Sequence, residues 1–377
     1  MKKIKIITAV GTRPEIIRLS AVINKLEKYF HHILINTNQN FDKNLNQVFF
    51  KNFQIKRPKY NIKNNSKNPY IFLGKLFQYT DAIIKKEKPD AFLVLGDTNS
   101  CLCSYVAKRN MIPVFHIEAG NRSFDNRVPE EINRKIIDHI ADINICYSDN
   151  SRTNLIHEGR PLDTTFVSGS PLREVLNNNL SKIDNSNIIK KLSLQKKKFI
   201  VASIHRQENV ENSNNIKKIF FVLNKISKLL SSKVVITLHP KTKEKISKIK
   251  GVKSKNFLFC KPFDFFDYCK LQKEAKFVFS DSGTIAEESY MLNFPALNIR
   301  FSHERGEAMD NGCVIMTGLM ENSIMQSVDI LKNQKFLGPK DRGIKINFYE
   351  EKNFSDKICT IINSYYSYVS QKKYFKK

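Results

Sequence analysis

Apolar residues recur along the chain in two alternating rhythms. Ile4 to Val10 is a short β-branched run, followed by apolar positions at Ile16, Leu19, Ile23, Leu26 and Phe30 at helical spacing. The pattern predicts strand, tight turn, helix. Thr12 and Glu15 stand three apart just before the helical stripe, as in a capping box, and Pro14 suits a first helical turn, where its missing N–H is not needed. Further strands are predicted near Ile33–Ile35, Ala91–Leu95, Val114–Ile117, Ile143–Cys146 and Thr165–Val167, with helix-like stretches between them. This is βαβ patterning and implies a parallel sheet. From about Leu172 to Lys198 the composition turns to Asn, Ser and Lys, and a domain boundary is expected there. A second series follows, with strands near Phe199–Ile204, Val234–Leu238, Phe257–Phe259, Phe277–Ser280, Ala296–Ile299 and Val314–Met316. The expected fold class is α/β, with two Rossmann-like domains over residues 1–172 and 173–357 facing a cleft. An apolar tail helix over about 358–377 is expected to pack back on the first domain.

Composition changes this picture little. With 377 residues and 41% hydrophobic content the chain can bury two cores, so disorder is excluded. Lys and Arg exceed Asp and Glu by 27, which suggests a polyanion partner. The basic residues are spread through both halves, however, and no RRM, zinc-finger or KH signature accompanies them, so no nucleic-acid partner is expected. No apolar run approaches the roughly 18 residues that cross a bilayer, and no targeting signal is visible. Seven cysteines without a CxxC pair suggest neither a disulfide framework nor a zinc site. A cytoplasmic protein without membrane association is expected.

Seven polar clusters follow predicted strands, where ligands of open α/β sheets bind. Gly11-Thr12-Arg13-Pro14-Glu15 sets a cation beside free N–H groups at a helix start, suited to a phosphate or simply a capped turn with a surface Arg. Asp97, in Gly96-Asp97-Thr98, is either an acid/base group or a helix cap. In His116-Ile117-Glu118-Ala119-Gly120-Asn121-Arg122, the plain reading pairs Arg122 with Glu118. Glu130 and Glu131 open a helix and are accounted for by its dipole alone. His205-Arg206 offers an anion site or proton transfer, or a structural His. Asp281-Ser282-Gly283-Thr284 leads into a helix bearing Glu288, where Gly283 lets a diphosphate approach and Glu288 can accept from ribose hydroxyls; capping by Ser282 or Thr284 is the alternative. Ser302 to Glu307, with Arg305, is a second possible phosphate clamp. Neither GxGxxG nor GxxxxGK[ST] occurs, which leaves redox-cofactor and NTPase readings unsupported.

Taken in order, G-T-R-P-E at Gly11–Glu15, G-D-T at Gly96–Thr98, H-I-E-A-G at His116–Gly120, P-E-E-I-N-R at Pro129–Arg134, His205-Arg206 and D-S-G-T-I-A-E-E at Asp281–Glu288 resemble the non-hydrolysing UDP-N-acetylglucosamine 2-epimerases. The resemblance implies a GT-B type fold, a homodimer, a UDP-sugar substrate, and no metal or organic cofactor. It also implies anti elimination of UDP with loss of the carbon-2 proton, followed by re-addition of UDP to the resulting 2-acetamidoglycal. Carried over by motif, Asp97, Glu118 and Glu130 are the acid/base carboxylates, and Arg13 and His205 steady the leaving diphosphate. Ser282, Gly283 and Arg305 complete the anion site and Glu288 holds the ribose. Arg18 stands where the family commonly has Lys, and Arg206 joins Arg13, Arg18 and Arg305 as the cations expected around one diphosphate.

Departures from the common pattern are Gly306 in place of Pro and Asn121 in place of Leu. Ile16–Ser20, Asp97–Cys101 and Asn121–Asp125 look more like the branch that makes UDP-N-acetyl-L-fucosamine from UDP-N-acetyl-L-pneumosamine for capsule or O-antigen synthesis. A UDP-GlcNAc/UDP-ManNAc epimerase is the close second, and a GT-B glycosyltransferase or a hydrolysing epimerase are the alternatives. Gln39, Arg206 and His239 fall near positions where some relatives bind a second UDP-sugar, but in an altered surrounding pattern.

Overall fold

The computed structural model describes residues 3–39, 43–63, 66, 68–126, 128–238, 246, 252 and 254–375. They divide into two compact units, Met1–Asn177 with Glu350–Lys377 and Asn178–Tyr349. In the first unit, strands β1 (Lys5–Val10), β2 (His31–Asn36), β3 (Tyr60–Asn61), β4 (Ala91–Leu95), β5 (Val114–Ile117), β6 (Ile143–Cys146) and β7 (Thr165–Val167) form one parallel sheet of order β3-β2-β1-β4-β5-β6-β7. Its central strand β4 reads as a continuous apolar run because both faces are covered: every residue of β4 is buried. β1 is the pivot, with Ile7 opposite Ile33 of β2 on one side and Phe92 of β4 on the other.

The second unit repeats the plan with β8 (Phe199–Ser203), β9 (Lys233–Thr237), β10 (Phe257–Cys260), β11 (Val278–Ser280), β12 (Ala296–Asn298) and β13 (Ile315–Met316), in the order β10-β9-β8-β11-β12-β13. In both sheets the chain reverses direction of travel beside the first strand, between β1 and β4 and between β8 and β11. A crevice opens at that reversal because the flanking connections leave on opposite faces. The fold is two Rossmann-like domains of GT-B type.

Two elements were not among those expected. The Asn- and Lys-rich stretch in which a domain boundary is expected is helical over Leu172–Asp184, because Leu172, Val175, Leu176 and Ile183 still supply a buried apolar stripe within the polar composition. The two-residue edge strand β3 is too short to leave a period-2 signal. No described helix is long and apolar enough to cross a membrane.

The chain returns to the first unit through the helix Phe354–Tyr374. Glu174 anchors its start by accepting from the Ser355 N–H at 2.7 Å and the Ser355 hydroxyl at 2.6 Å, a carboxylate at a helix N-terminus. Phe354 is fully buried and meets Tyr147 edge-on at 6.4 Å. Lys25 on the helix Arg13–Tyr29 adds an ion pair to Asp356 at 2.7 Å, but it is solvent-exposed and contributes little beside the aromatic contact. Phe354→Ala is expected to destabilise the first unit by about 3–5 kcal/mol, read as a lower urea midpoint, whereas Lys25→Ala is expected to cost about 1 kcal/mol or less.

Candidate functional site

In the first unit the crevice between β1 and β4 is lined by the turns that follow those strands. The β1 turn runs against the sheet so closely that a Cβ on Gly11 would overlap the hydroxyls of Ser100 and Thr37. The buried Glu15 carboxylate accepts from the Gly11 N–H, the Thr12 N–H at 3.0 Å and the Thr98 hydroxyl, so it closes its own helix N-terminus and ties the β1 turn to the β4 turn. Burial pushes this carboxyl up to about 7, against those three donated bonds. Arg13 lies half-buried over the Phe49 ring at 4.6 Å. Gln39 accepts from the Ser100 N–H and hydroxyl, while His239 lies outside the described residues.

Asp97 is a quarter exposed and pairs with Arg134, whose Nε donates at 3.1 Å. Burial raises its carboxyl; the Arg134 charge opposes this, while Glu118 and Glu130 add to it. Glu118 follows β5 with φ of +71°, a left-handed conformation that costs a non-glycine residue about 1–3 kcal/mol and is kept only where the surroundings impose it. Its Oε2 accepts from the Tyr147 hydroxyl at 3.2 Å and lies 3.7 Å from Arg18 Nη1, while Oε1 accepts from Asn121 Nδ2 at 3.3 Å. Arg18 itself is buried, donating to the Tyr147 hydroxyl at 3.2 Å.

The expected Arg122–Glu118 pair is absent from this arrangement. Arg122 instead binds Asp138 at 2.7 Å and Glu158 at 2.5 Å. Asp138 also accepts from the Gly120 N–H at 3.2 Å and lies 2.9 Å from His116 Nδ1, and His116 Nε2 meets the Gly96 carbonyl at 2.8 Å. This buried group fixes the Gly96 and Gly120 turns relative to one another, and so the carboxylates that adjoin them. Of the two helix-opening acids, Glu131 is buried and accepts from the Ser123 N–H and hydroxyl and from the Phe124 N–H. Burial pushes its carboxyl up, but those bonds and the Arg134 charge hold it below the usual range. Glu130 is exposed.

In the second unit the fully buried Asp281 organises the crevice between β8 and β11. It accepts from the N–H groups of His205 and Arg206 at 3.0–3.1 Å and from Asn209 Nδ2 at 3.0 Å, and it lies 3.1 Å from His205 Nδ1. The His205 ring is left more than half exposed, at 59%. Gly283 carries the turn into the helix Ile285–Leu292. A Cβ there would stand 3.4 Å from both Arg206 Nη2 and Arg300 Nη1 and 3.1 Å from Glu304 Oε2. Arg300, which the motif spacing did not single out, forms a two-point pair with Glu304 at 2.7 and 2.8 Å. Arg305 is buried and pairs with Glu287 at 2.6 Å.

Glu288 accepts from the Thr284 hydroxyl and from Gln272 Nε2 at 2.5 Å. The Ser282 and Thr284 hydroxyls stand 2.9 Å apart. Tyr268 completes this wall, its hydroxyl bonded to Ser203 near Glu288 and Asp281, and burial raises its pKa well above the ordinary tyrosine value. Only the rule that ligands sit at strand ends could have drawn attention to Arg300, and Tyr268 had no distinguishing local pattern; Asp281 stood in the Asp281–Glu288 motif, but its bonds to the His205–Arg206 turn were not readable there.

Glu15 generates a pH prediction. Its folded pKa, near 7, lies above the ordinary 4.5, so its proton stabilises the fold fully below pH 4.5, and that contribution is lost as pH rises through 7. The full span is on the order of 3 kcal/mol. Glu15→Gln cannot ionise, so its urea-unfolding free energy should fall less than wild type between pH 5 and pH 8.

The UDP-N-acetylglucosamine 2-epimerase family matches residues 24–363 of the chain. The solved UDP-N-acetylglucosamine 2-epimerase of Rickettsia bellii is 42% identical, with a TM-score of 0.91 over 99% of this chain and 100% of that one. The Methanocaldococcus jannaschii UDP-GlcNAc 2-epimerase, solved in complex with UDP-GlcNAc and UDP, is 30% identical, with a TM-score of 0.87 over 96% and 100% of the two chains. The UDP-2,3-diacetamido-2,3-dideoxy-D-glucuronate 2-epimerase of Pseudomonas aeruginosa is 29% identical over 86% of this chain and 91% of its own. With two Rossmann-like sheets and its acids and cations gathered at both strand reversals, the chain belongs to the UDP-N-acetylglucosamine 2-epimerase family and is an isomerase.

Proposed function

We propose that the protein inverts carbon 2 of a UDP-N-acetylhexosamine by eliminating UDP and adding it back. The observation that carries this reading is the pair of neighbouring carboxylates, Asp97 and Glu118, at the ends of adjacent strands in unlike surroundings. Burial raises the Asp97 carboxyl, while Glu118 lies beside the Arg18 guanidinium and accepts from Tyr147 and Asn121. Two acids in such unlike surroundings can divide the work of proton donor and acceptor.

The carbon-2 proton is not adjacent to a carbonyl and becomes removable only as the carbon-1 bond to UDP breaks and positive charge develops on the ring. One carboxylate takes that proton, the bond electrons leave with UDP, and the glycal remains. Returning a proton to the opposite face of carbon 2 as UDP re-adds at carbon 1 gives the epimer. Glu130, exposed at the start of its helix, is the third acid available to this exchange. Arg13 and Arg18 supply positive charge in the first unit. His205, Arg206, Ser282 and Gly283 in the second unit are suited to the diphosphate, Glu288 to the ribose hydroxyls, and Arg305 to supporting that turn through Glu287. The substrate favoured by the branch resemblance is UDP-N-acetyl-L-pneumosamine, with UDP-GlcNAc second, acted on by a cytoplasmic homodimer that supplies capsule or O-antigen synthesis.

Incubation with each nucleotide sugar in heavy water, without an acceptor, should give the 2-epimer carrying deuterium at carbon 2 by NMR. Unlabelled epimer would overturn the elimination mechanism, accumulating UDP would indicate hydrolysis, and a need for an acceptor would indicate glycosyl transfer. Asp97→Asn and Glu118→Gln are each expected to lower kcat about 100-fold or more while keeping UDP affinity. His205→Ala should weaken UDP binding by calorimetry as well as lower the rate.

A further inference from the structure

Asn121 occupies a buried position whose side chain serves no purpose of packing alone. Its Oδ1 accepts from the Ser151 hydroxyl at 2.9 Å, and Ser151 Oγ stands 3.3 Å from Ser148 Oγ. An amide whose oxygen is engaged in this way must present its NH2 on the other side, and there Nδ2 donates to Glu118 Oε1. The loop that carries both residues cannot adjust freely. Glu118 has φ of +71°, Gly120 has φ of +78° and is packed so tightly that a Cβ would overlap the Ser151 carbonyl, and the Asn121 carbonyl accepts from Arg122 Nη1 at 2.6 Å. The other Glu118 oxygen faces Tyr147 and Arg18. The two carboxylate oxygens are therefore held by different partners.

We infer that Asn121, oriented by Ser151, is a positioning residue that holds Glu118 in a single orientation and in its ionised form for the proposed epimerisation. Donation to a carboxylate favours the anion, and a leucine at this position would leave Oε1 without this bond. Among the described residues, the titratable and charged groups around Glu118 include Arg18 from the helix Arg13–Tyr29, Tyr147 after β6, Asp97 after β4, and Arg134 and Glu130 beyond Asp97. Substitution at Asn121 leaves all of them in place.

The inference rests on the proposed reaction, and its test separates the two. The protein is labelled with carboxyl-13C glutamate, the Glu118 signal is assigned by its loss in Glu118→Gln, and its titration is followed without substrate. Asn121→Leu should move the Glu118 midpoint upward by roughly half to one pH unit, and the isosteric Asn121→Asp, which replaces the donor with a negative charge, should move it further. Ser151→Ala should move it in the same direction by less, with no additional shift in the Asn121→Leu background. The acidic limb of kcat should rise in step, with UDP affinity unchanged. Unchanged Glu118 titration in Asn121→Leu and Asn121→Asp would overturn the inference. Wild-type protein that exchanges no carbon-2 hydrogen would instead overturn the proposed reaction, while leaving the titration result intact.

Discussion

A buried carboxylate that accepts backbone N–H groups is the interaction on which both crevices depend. Loops at the ends of strands buried on both faces leave N–H groups with no ladder partner, and such groups are costly unless something satisfies them. In this chain buried acids do so. Glu15 satisfies the β1 turn, Asp138 the Gly120 turn, Glu131 the Ser123–Phe124 segment and Asp281 the His205–Arg206 turn. The same device starts the returning C-terminal helix through Glu174. Each acid also fixes where its loop sits, so positions of side chains that face the crevice are set by carboxylates that do not.

This division sorts the acids of the motifs. Asp138 and Glu131 are fully buried, are held below the ordinary carboxylate range by their partners, and are committed to the fold. Asp97 and Glu118 retain some exposure and are paired with the side chains of Arg134, Arg18, Tyr147 and Asn121. Glu15 stands between the groups: it has structural partners, yet burial brings it near neutrality. In a chain with 36 acidic residues against 63 basic ones, several of the buried acids, Glu15, Glu131, Asp138 and Asp281 among them, accept from loop N–H groups.

Cations follow a similar logic. Arg122 and Arg305 are consumed by Asp138 and Glu158 and by Glu287, whereas Arg206 and Arg300 reach the Gly283 turn from two different strand ends. Glu304 binds Arg300 at two points and lies 3.8 Å from Arg206, so the turn's positive charge is partly balanced within the second unit itself.

The alternation of strands and helices was legible in the sequence because burial on both faces writes itself as short, mainly apolar runs, and amphipathic helices as a 3.6-residue stripe. The motifs that follow those strands were legible too, since glycines and short polar residues stand out where apolar runs end. The helix Leu172–Asp184 was not, because its composition masked a four-residue apolar stripe. Sequence alone could not assign partners. Glu118 meets Arg18 across 100 residues, Asp97 meets Arg134 across 37, and Arg122 passes over its near neighbour Glu118 for Asp138 and Glu158. Those choices belong to the tertiary structure, because the parallel crossovers bring distant strand ends together while a left-handed turn at Glu118 directs its side chain away from the arginine four residues on.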